Sequence, residues 1–126
     1  MSAHEFCIRV YYEDTDFSGV VYHASYLRFM ERGRTEMLRA RGIEQANLTF
    51  GFAVRAMQID YLKPARMDDL LTIKTKVSKM GGASLDMEQR VVRGEEVLVT
   101  ASVRIACLAE GKAARLPAEI RARLEA

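Results

Sequence analysis

The period of the hydrophobic and polar positions changes along the chain, and each change marks a predicted element. Phe6–Tyr12 is rich in β-branched and aromatic residues, which predicts a first strand, and the acidic run over 13–19 predicts a loop. From about Ala24 to Arg41 the apolar positions recur at spacings of three and four, which indicates one amphipathic helix of about five turns. Gly42 is expected to end this helix in a left-handed conformation. Gly33 inside it indicates a close approach to a flat surface.

The second half of the chain is predicted to be sheet. Apolar and polar residues alternate along four segments separated by proline or glycine turns, at 54–62, 70–80, 84–93 and 97–107. Short glycine turns favour antiparallel neighbours, and Pro117 precedes a short helix predicted over Ala118–Leu124. This order predicts an α+β fold in which the long helix covers one face of an antiparallel sheet. Leu98 and Ala106, on the other side of the last strand, favour contact with a second subunit.

Composition and charge narrow the classes of partner. The 126 residues carry 19 basic and 17 acidic side chains, a net charge of +2 spread along a chain that we expect to form one domain over 1–126. We therefore expect no nucleic acid as a partner. The longest run without a charged residue, Phe17–Leu27, is shorter than the about 20 apolar residues that span a bilayer, so no membrane insertion is expected. Two distant cysteines and no signal-like N-terminus predict a cytoplasmic protein.

Most familiar catalytic motifs are absent from the sequence. It has no G-x-S-x-G, H-E-x-x-H or C-x-x-C motif, and its two histidines are His4 and His23. A Ser-His-Asp hydrolase and a multi-histidine metal site are therefore not expected, and no metal ligand is assigned.

Side chains that could take part in catalysis are concentrated in the run Tyr12–Ser25, which leads into the start of the predicted helix. It gathers three carboxylates, two tyrosines, a histidine and a loop glycine. Free amides at a helix N-terminus stabilise an oxyanion, and a carboxylate opposite them can attack a carbonyl or activate water. Loop hydrogen bonds from Asp14 and Asp16 are the structural alternative. Calcium is disfavoured because Ser25 occupies the EF-hand position that requires glutamate, and phosphatase chemistry because it needs a parallel sheet.

One family shares this run closely. The segment Arg9–Leu38, RVYYEDTDFSGVVYHASYLRFMERGRTEML, resembles the N-terminal signature of hotdog-fold acyl-CoA thioesterases of the 4-hydroxybenzoyl-CoA thioesterase type, particularly the Tol-Pal-associated branch. The run Asp60–Ala65 extends the resemblance in pattern over nearly the whole chain. The resemblance implies the hotdog fold, an antiparallel sheet wrapped around one long central helix. It also implies homodimers or homotetramers and thioester hydrolysis without a metal or cofactor, coenzyme A being part of the substrate.

The resemblance also implies roles for three residues. Asp16 matches the catalytic aspartate, which acts as nucleophile or general base. His23 matches the position whose backbone amide forms the oxyanion hole and whose side chain, in the Tol-Pal branch, is also counted in the site. Tyr12 matches a tyrosine near the aspartate, with strand packing as its alternative role. Phe17-Ser18 departs from the small residues, often Ala-Gly, of that branch and is expected to reshape the acyl pocket.

The function implied is acyl-CoA hydrolysis to the free acid and coenzyme A. The alternative is a non-hydrolytic module that binds acyl-CoA or acyl carrier protein, and acyl carrier protein is also an alternative carrier of the substrate. Residues that would bind the coenzyme A moiety stay unknown. Phe50-Gly51-Phe52 resembles part of an RNA-stacking motif, but the element order differs from that class, and core packing is expected for both rings.

Overall fold

One long helix packs against an antiparallel sheet in the computed structural model, which describes residues 3–125. The elements are β1 (His4–Arg9), α1 (Ser25–Ala40), β2 (Gly51–Tyr61), β3 (Leu70–Met80), β4 (Ser84–Arg93), β5 (Glu96–Ala109), β6 (Lys112–Ala113) and α2 (Ala118–Glu125), with 3₁₀ helices at Tyr12–Asp14 and Gln45–Asn47. The strands are ordered β1-β3-β4-β5-β2, and β6 pairs with β5. All these pairs are antiparallel, so the predicted α+β architecture is confirmed.

The apolar stripe of α1 faces the sheet, as its periodicity predicts. Phe29, Met30 and Met37 are fully buried in this contact. Gly33 lies at the closest approach, because a Cβ added there would come within 2.6 Å of Cγ2 of Ile73 on β3. The absence of a side chain at this position therefore sets how near the helix lies to the sheet.

The two faces of the sheet differ in polarity. Residues of β3, β4 and β5 alternate between the buried core and an outer face that carries charged pairs. On that outer face Nε of Arg104 donates to the Asp86 carboxylate at 2.9 Å, and the Ser102 hydroxyl donates to Glu88 at 2.8 Å. Such a face is suited to water.

The expectation that Leu98 lies on the outer face and favours a subunit contact is wrong. The β4–β5 register shifts so that Val91 pairs with Val99 and Val92 with Val97, which leaves Leu98 in a bulge. The bulge buries the Leu98 side chain completely, and its carbonyl accepts the N–H groups that follow β2. Leu98 therefore belongs to the core and supports no subunit contact on that face.

The first strand is shorter at its C-terminal end than predicted. It ends at Arg9 instead of Tyr12, because the carboxylate of Asp14 accepts the backbone N–H of Tyr11 at 2.9 Å. A side chain that binds its local backbone competes with strand pairing. The same contact starts the 3₁₀ helix Tyr12–Asp14, and the chain leaves the sheet there.

Other predicted boundaries agree closely with the structure. The predicted helix differs from α1 by one residue at each end, and β3 and β4 have the predicted limits. Gly42 is left-handed at φ +76°, and the N–H of Ile43 returns to the carbonyl of Leu38 at 2.9 Å, which is the expected helix ending. Phe50 and Phe52 pack edge to face at 5.5 Å against the core, as expected. Strand β6 was not predicted.

Candidate active site

The run between β1 and α1 folds into a small hairpin. The N–H of Tyr22 donates to the carbonyl of Asp14, and the N–H of Asp16 to the carbonyl of Val20, each at 2.9 Å. Gly19 lies at the tip with φ +85°, a conformation that L side chains rarely adopt. The hairpin brings Asp16 near enough to His23 for the two groups to interact electrostatically. Two of the three predicted site residues are therefore brought together by local structure.

The carboxylate of Asp16 is exposed and held by Ser18. Its Oδ1 accepts the Ser18 hydroxyl at 2.6 Å and the Ser18 backbone N–H at 2.9 Å. These two bonds, with smaller contributions from the Val20 backbone N–H and from His23, hold the pKa of the Asp16 carboxyl below its usual value. The backbone N–H of Val20 also interacts with this carboxylate and favours its ionised form. Asp16 is thus an exposed, ionised carboxylate whose Oδ1 is held by Ser18.

The N-terminus of α1 has no side-chain cap. Ala24 occupies the N-cap position, and the backbone N–H groups of His23 and Ala24 donate no hydrogen bond to the rest of the described chain. Free amides at this end of a helix carry partial positive charge. They form the kind of donor pair that stabilises a developing oxyanion.

Two tyrosines make hydrogen bonds that hold the start of α1 in place. The hydroxyl of Tyr61, at the end of β2, donates to the carbonyl of His23 at 2.9 Å. Tyr26 is almost fully buried, and its hydroxyl accepts the N–H of Ala65 at 2.9 Å, while the Ala65 carbonyl accepts the N–H of Val21. Burial raises the pKa of both tyrosines, so both stay neutral. These contacts fix the orientation of the peptide groups at the helix start.

Sequence reasoning assigned no site role to Tyr26, Tyr61 or Ser18. The strongest available signal was the resemblance over Asp60–Ala65, which contains Tyr61 and Ala65 without showing which groups they contact. The partners of Tyr61 and Tyr26 lie 38 and 39 positions away along the chain, so periodicity carries no information about them. Ser18 lies only two positions from Asp16, but the sequence does not show that its hydroxyl binds the carboxylate.

Tyr12 is not brought to the other two predicted residues. It lies in the 3₁₀ helix with 78% of its surface exposed, and its backbone carbonyl accepts the Thr15 hydroxyl at 2.7 Å. Its side chain makes no hydrogen bond or ring contact with Asp16 or His23. A catalytic role for Tyr12 therefore stays a prediction.

Asp14 has the loop-forming role expected of it, since its carboxylate accepts the backbone N–H of Tyr11.

Neither a metal-binding cluster nor a membrane-spanning helix is present in residues 3–125. No group of three or more His, Cys, Asp or Glu side chains lies together in a way that could hold a metal ion. No helix in the same range has both the length and the apolar character needed to cross a membrane.

Comparison with known proteins identifies close relatives. A family profile described as "Thioesterase superfamily" matches residues 18–100. The chain is 48% identical over 111 residues to the acyl-CoA thioesterase YbgC of Haemophilus influenzae, which covers 85% of this chain and 82% of that protein. It is 50% identical over 105 residues to the acyl-CoA thioester hydrolase YbgC of Escherichia coli O6:H1, with 80% and 78% covered. The crystal structure of a probable thioesterase from Bartonella henselae superposes with a TM-score of 0.90 at 51% identity, covering 92% of this chain and all of that one.

Proposed function

Because this chain belongs to the thioesterase superfamily and has its hotdog fold, we propose that it is an acyl-CoA thioesterase. It hydrolyses the thioester of an acyl-CoA, with water, to the free acid and coenzyme A. Two relatives that are about half identical in sequence carry that activity in their names. The observation that carries the proposal is that one short hairpin segment holds both the ionised Asp16 carboxylate and, at its end, the uncapped amides of His23 and Ala24.

The proposed chemistry uses the protein's own groups. Oδ2 of Asp16 either attacks the thioester carbon or removes a proton from the water that attacks it. In both routes the carbonyl oxygen becomes negative and accepts hydrogen bonds from the N–H groups of His23 and Ala24. Loss of one such donor typically costs about 3 to 4 kcal/mol of barrier. The carbon–sulfur bond then breaks, and the coenzyme A thiolate leaves and takes up a proton.

The two routes differ in where oxygen from water ends. If Asp16 is the nucleophile, an acyl-aspartate anhydride forms first, and water attacking it at the aspartyl carbon labels the enzyme. If Asp16 is the base, the oxygen from water enters the product acid alone. Label found in the peptide that contains Asp16, by mass spectrometry after repeated turnover in ¹⁸O-labelled water, would establish the nucleophile route.

Replacement of Asp16 tests the function. We expect Asp16→Asn to lower thiol release from short, long and aromatic acyl-CoAs by about 10³-fold or more, because the amide is neither a nucleophile nor a base at neutral pH. Glu13→Gln in the same loop is the matched control and should retain activity. Melting temperatures of both variants should stay close to that of the parent protein.

Two results would count against acyl-CoA hydrolysis. The first is that the parent protein releases thiol from no member of the panel. The second is that Asp16→Asn retains full activity. Tight, saturable binding of acyl-CoA without thiol release would favour the alternative, a non-hydrolytic binding module for acyl-CoA or acyl carrier protein.

A homodimer formed through β2 is part of the proposal. β2 is at one end of the strand order, so one of its edges has no neighbour within residues 3–125. Val54 and Tyr61 on this strand are 47% and 44% exposed, although the strand adjoins the core. Two copies of an edge strand can pair antiparallel about a two-fold axis, which removes both free edges. A homotetramer, acyl carrier protein as carrier, the cytoplasmic location and the absence of a cofactor stay predictions.

A further inference from the structure

Arg34 is a buried cation bound to a neutral group. It lies on α1 with 8% of its surface exposed, and its Nη1 donates to Oε1 of Gln89 at 3.0 Å. The amide nitrogen of Gln89 in turn donates to the carbonyl of Met30 and the hydroxyl of Thr75, each at 2.9 Å. These two acceptors fix the amide so that its oxygen faces Arg34. No Asp or Glu within residues 3–125 forms an ion pair with Arg34.

The buried guanidinium of Arg34 has no opposite charge paired with it that would offset the cost of removing it from water. Burial lowers the pKa of Arg34, while the negative charge of Glu31 one turn away acts in the opposite direction. Arginine stays charged in proteins even so. A buried charge is normally paired with an opposite charge, because desolvation otherwise destabilises it. The position therefore favours an anionic partner that is not supplied by the described chain.

A cavity adjoins this cation. It has a volume of about 200 Å³ and is lined by Arg34 and Glu31 of α1 and by apolar side chains of the strands, among them Phe52, Leu85, Met87 and Ile105. Apolar walls suit a methylene chain, and the planar guanidinium suits a carboxylate, which it can bind with two parallel hydrogen bonds. Glu31 is exposed, so water screens its charge more than that of Arg34.

The proposed dimer places this cavity beside the reacting thioester. Phe52 and Val54, at the start of β2, line the cavity, and Tyr61, at the end of β2, holds the carbonyl of His23. Antiparallel pairing of two identical strands puts the start of one against the end of the other. The cavity of each subunit thus lies next to the start of α1 in the other subunit.

We propose that Arg34 makes this cavity a subsite for the far end of the acyl group and selects acyl chains that end in a carboxylate. The substrates would be half-thioesters of dicarboxylic acids. The inference rests on the proposed function and on the proposed dimer, and it adds the chemical class of the acyl group.

The first test compares matched substrates with the unmodified protein. Two acyl-CoA series of 4 to 10 carbons are used, one ending in a methyl group and one in a carboxylate. We expect kcat/KM of the carboxylate series to pass through a maximum at one length and to exceed there that of the methyl-ended chain by tenfold or more. Since no substitution is involved, folding of a variant does not affect this result.

The second test replaces Arg34 and a matched arginine. Arg34→Met should lower the ratio of the two kcat/KM values at the best length at least tenfold, and Arg34→Lys, which keeps the charge without the planar fork, should lower it less. Arg32→Met is the control, because Arg32 is exposed on the same helix and does not line the cavity. Glu31→Gln should leave the ratio unchanged or raise it, since it removes a negative charge.

The outcomes separate this inference from the function on which it rests. Hydrolysis of neither series overturns the proposed function and this inference with it. Hydrolysis of the methyl-ended series with no preference for a carboxylate at any length overturns this inference alone. If Glu31→Gln lowers the ratio and the melting temperature as Arg34→Met does, Arg34 is a structural partner of Glu31 and the subsite is refuted.

Discussion

Ser18 is the residue on which the electrostatics of the site depend most. Its hydroxyl and its backbone N–H both bind Oδ1 of Asp16, and they are the largest causes of the lowered pKa of that carboxyl. The branch that the sequence resembles often has glycine at this position, which could supply the N–H but no hydroxyl. The chain therefore holds its aspartate with one more hydrogen bond than a glycine would provide.

Removal of the Ser18 hydroxyl should change the pH dependence of the reaction. The bond stabilises the ionised form of Asp16, so its loss in Ser18→Ala raises the pKa of the carboxyl toward its ordinary value. More of the enzyme is then protonated at a given acidic pH, and the acid limb of the kcat/KM profile moves to higher pH. At neutral pH, where the carboxyl is ionised in both proteins, activity should fall less than about tenfold.

Thr15→Ala is the matched control for this measurement. The Thr15 hydroxyl lies in the same hairpin but donates to the carbonyl of Tyr12 and does not touch Asp16. The acid limb of the kcat/KM profile of Thr15→Ala should coincide with that of the parent protein. An acid limb that is unchanged in Ser18→Ala would mean that the hydroxyl only shapes the loop.

At the scale of elements, α1 joins the site to the core. Its first turn presents the free amides of the site, and its middle rests on the sheet at Gly33 and Ile73. Ile73 is completely buried, so it has little freedom to move away from a bulkier residue on the helix. The distance between helix and sheet is therefore set by one glycine.

Gly33→Ala should destabilise the protein despite the better helix propensity of alanine. By intrinsic helix propensity alone, replacing glycine with alanine would stabilise the helix by about 1 kcal/mol. The added methyl group would lie 2.6 Å from Cγ2 of Ile73, and overpacking of this kind typically costs about 1 to 3 kcal/mol. We expect a lower melting temperature and a lower free energy of unfolding in denaturant.

Gly82→Ala gives the comparison for this effect. The nearest atom to its new methyl group would be Nη1 of Arg115 at 3.5 Å, an ordinary contact with a flexible side chain. The free energy of unfolding of Gly82→Ala should stay within about 0.5 kcal/mol of that of the parent protein. A Gly33→Ala protein as stable as Gly82→Ala would show that helix and sheet can separate without cost.

At the level of the whole molecule, we expect the free edge of β2 to decide how copies assemble. The outer face carries the ion pair of Arg104 with Asp86 and the hydrogen bond from Ser102 to Glu88, and such polar groups suit water. The edge strand β2 instead leaves Val54 and Tyr61 half exposed. An interface between subunits is therefore expected along β2 and not on the outer face.

Val54→Asp should weaken the dimer. Val54 is exposed in the single chain, so the subunit should still fold, but the two-fold axis introduces two carboxylates into the interface. We expect sedimentation at micromolar concentration to show a dimer for the parent protein and a monomer for the variant, with at least tenfold lower thioesterase activity.

Lys76→Asp on the outer face is the control for assembly. Lys76 is exposed on β3, away from β2, and the variant should remain dimeric and active. A parent protein that sediments as a monomer, or a Lys76→Asp variant that dissociates while Val54→Asp does not, would contradict an interface along β2.

The local sequence pattern predicted the long helix and most of the strands. The three-and-four spacing over α1 and the alternation over β3 and β4 reflect which side chains must leave water, and this requirement acts on neighbouring residues. The roles of Asp16 and His23 followed from the resemblance over Arg9–Leu38, and they stay predictions. That the whole chain forms one domain, and that Tyr12 has a catalytic role, stay predictions.

Contacts between residues far apart in the sequence became known only from the folded chain. The bulge that buries Leu98, the hydroxyl of Tyr61 on His23, and the contact of Arg34 with Gln89 join residues from different elements. Each depends on strand register and on how close α1 lies to the sheet. Those quantities are set by packing of the complete core, so no local pattern of residues encodes them.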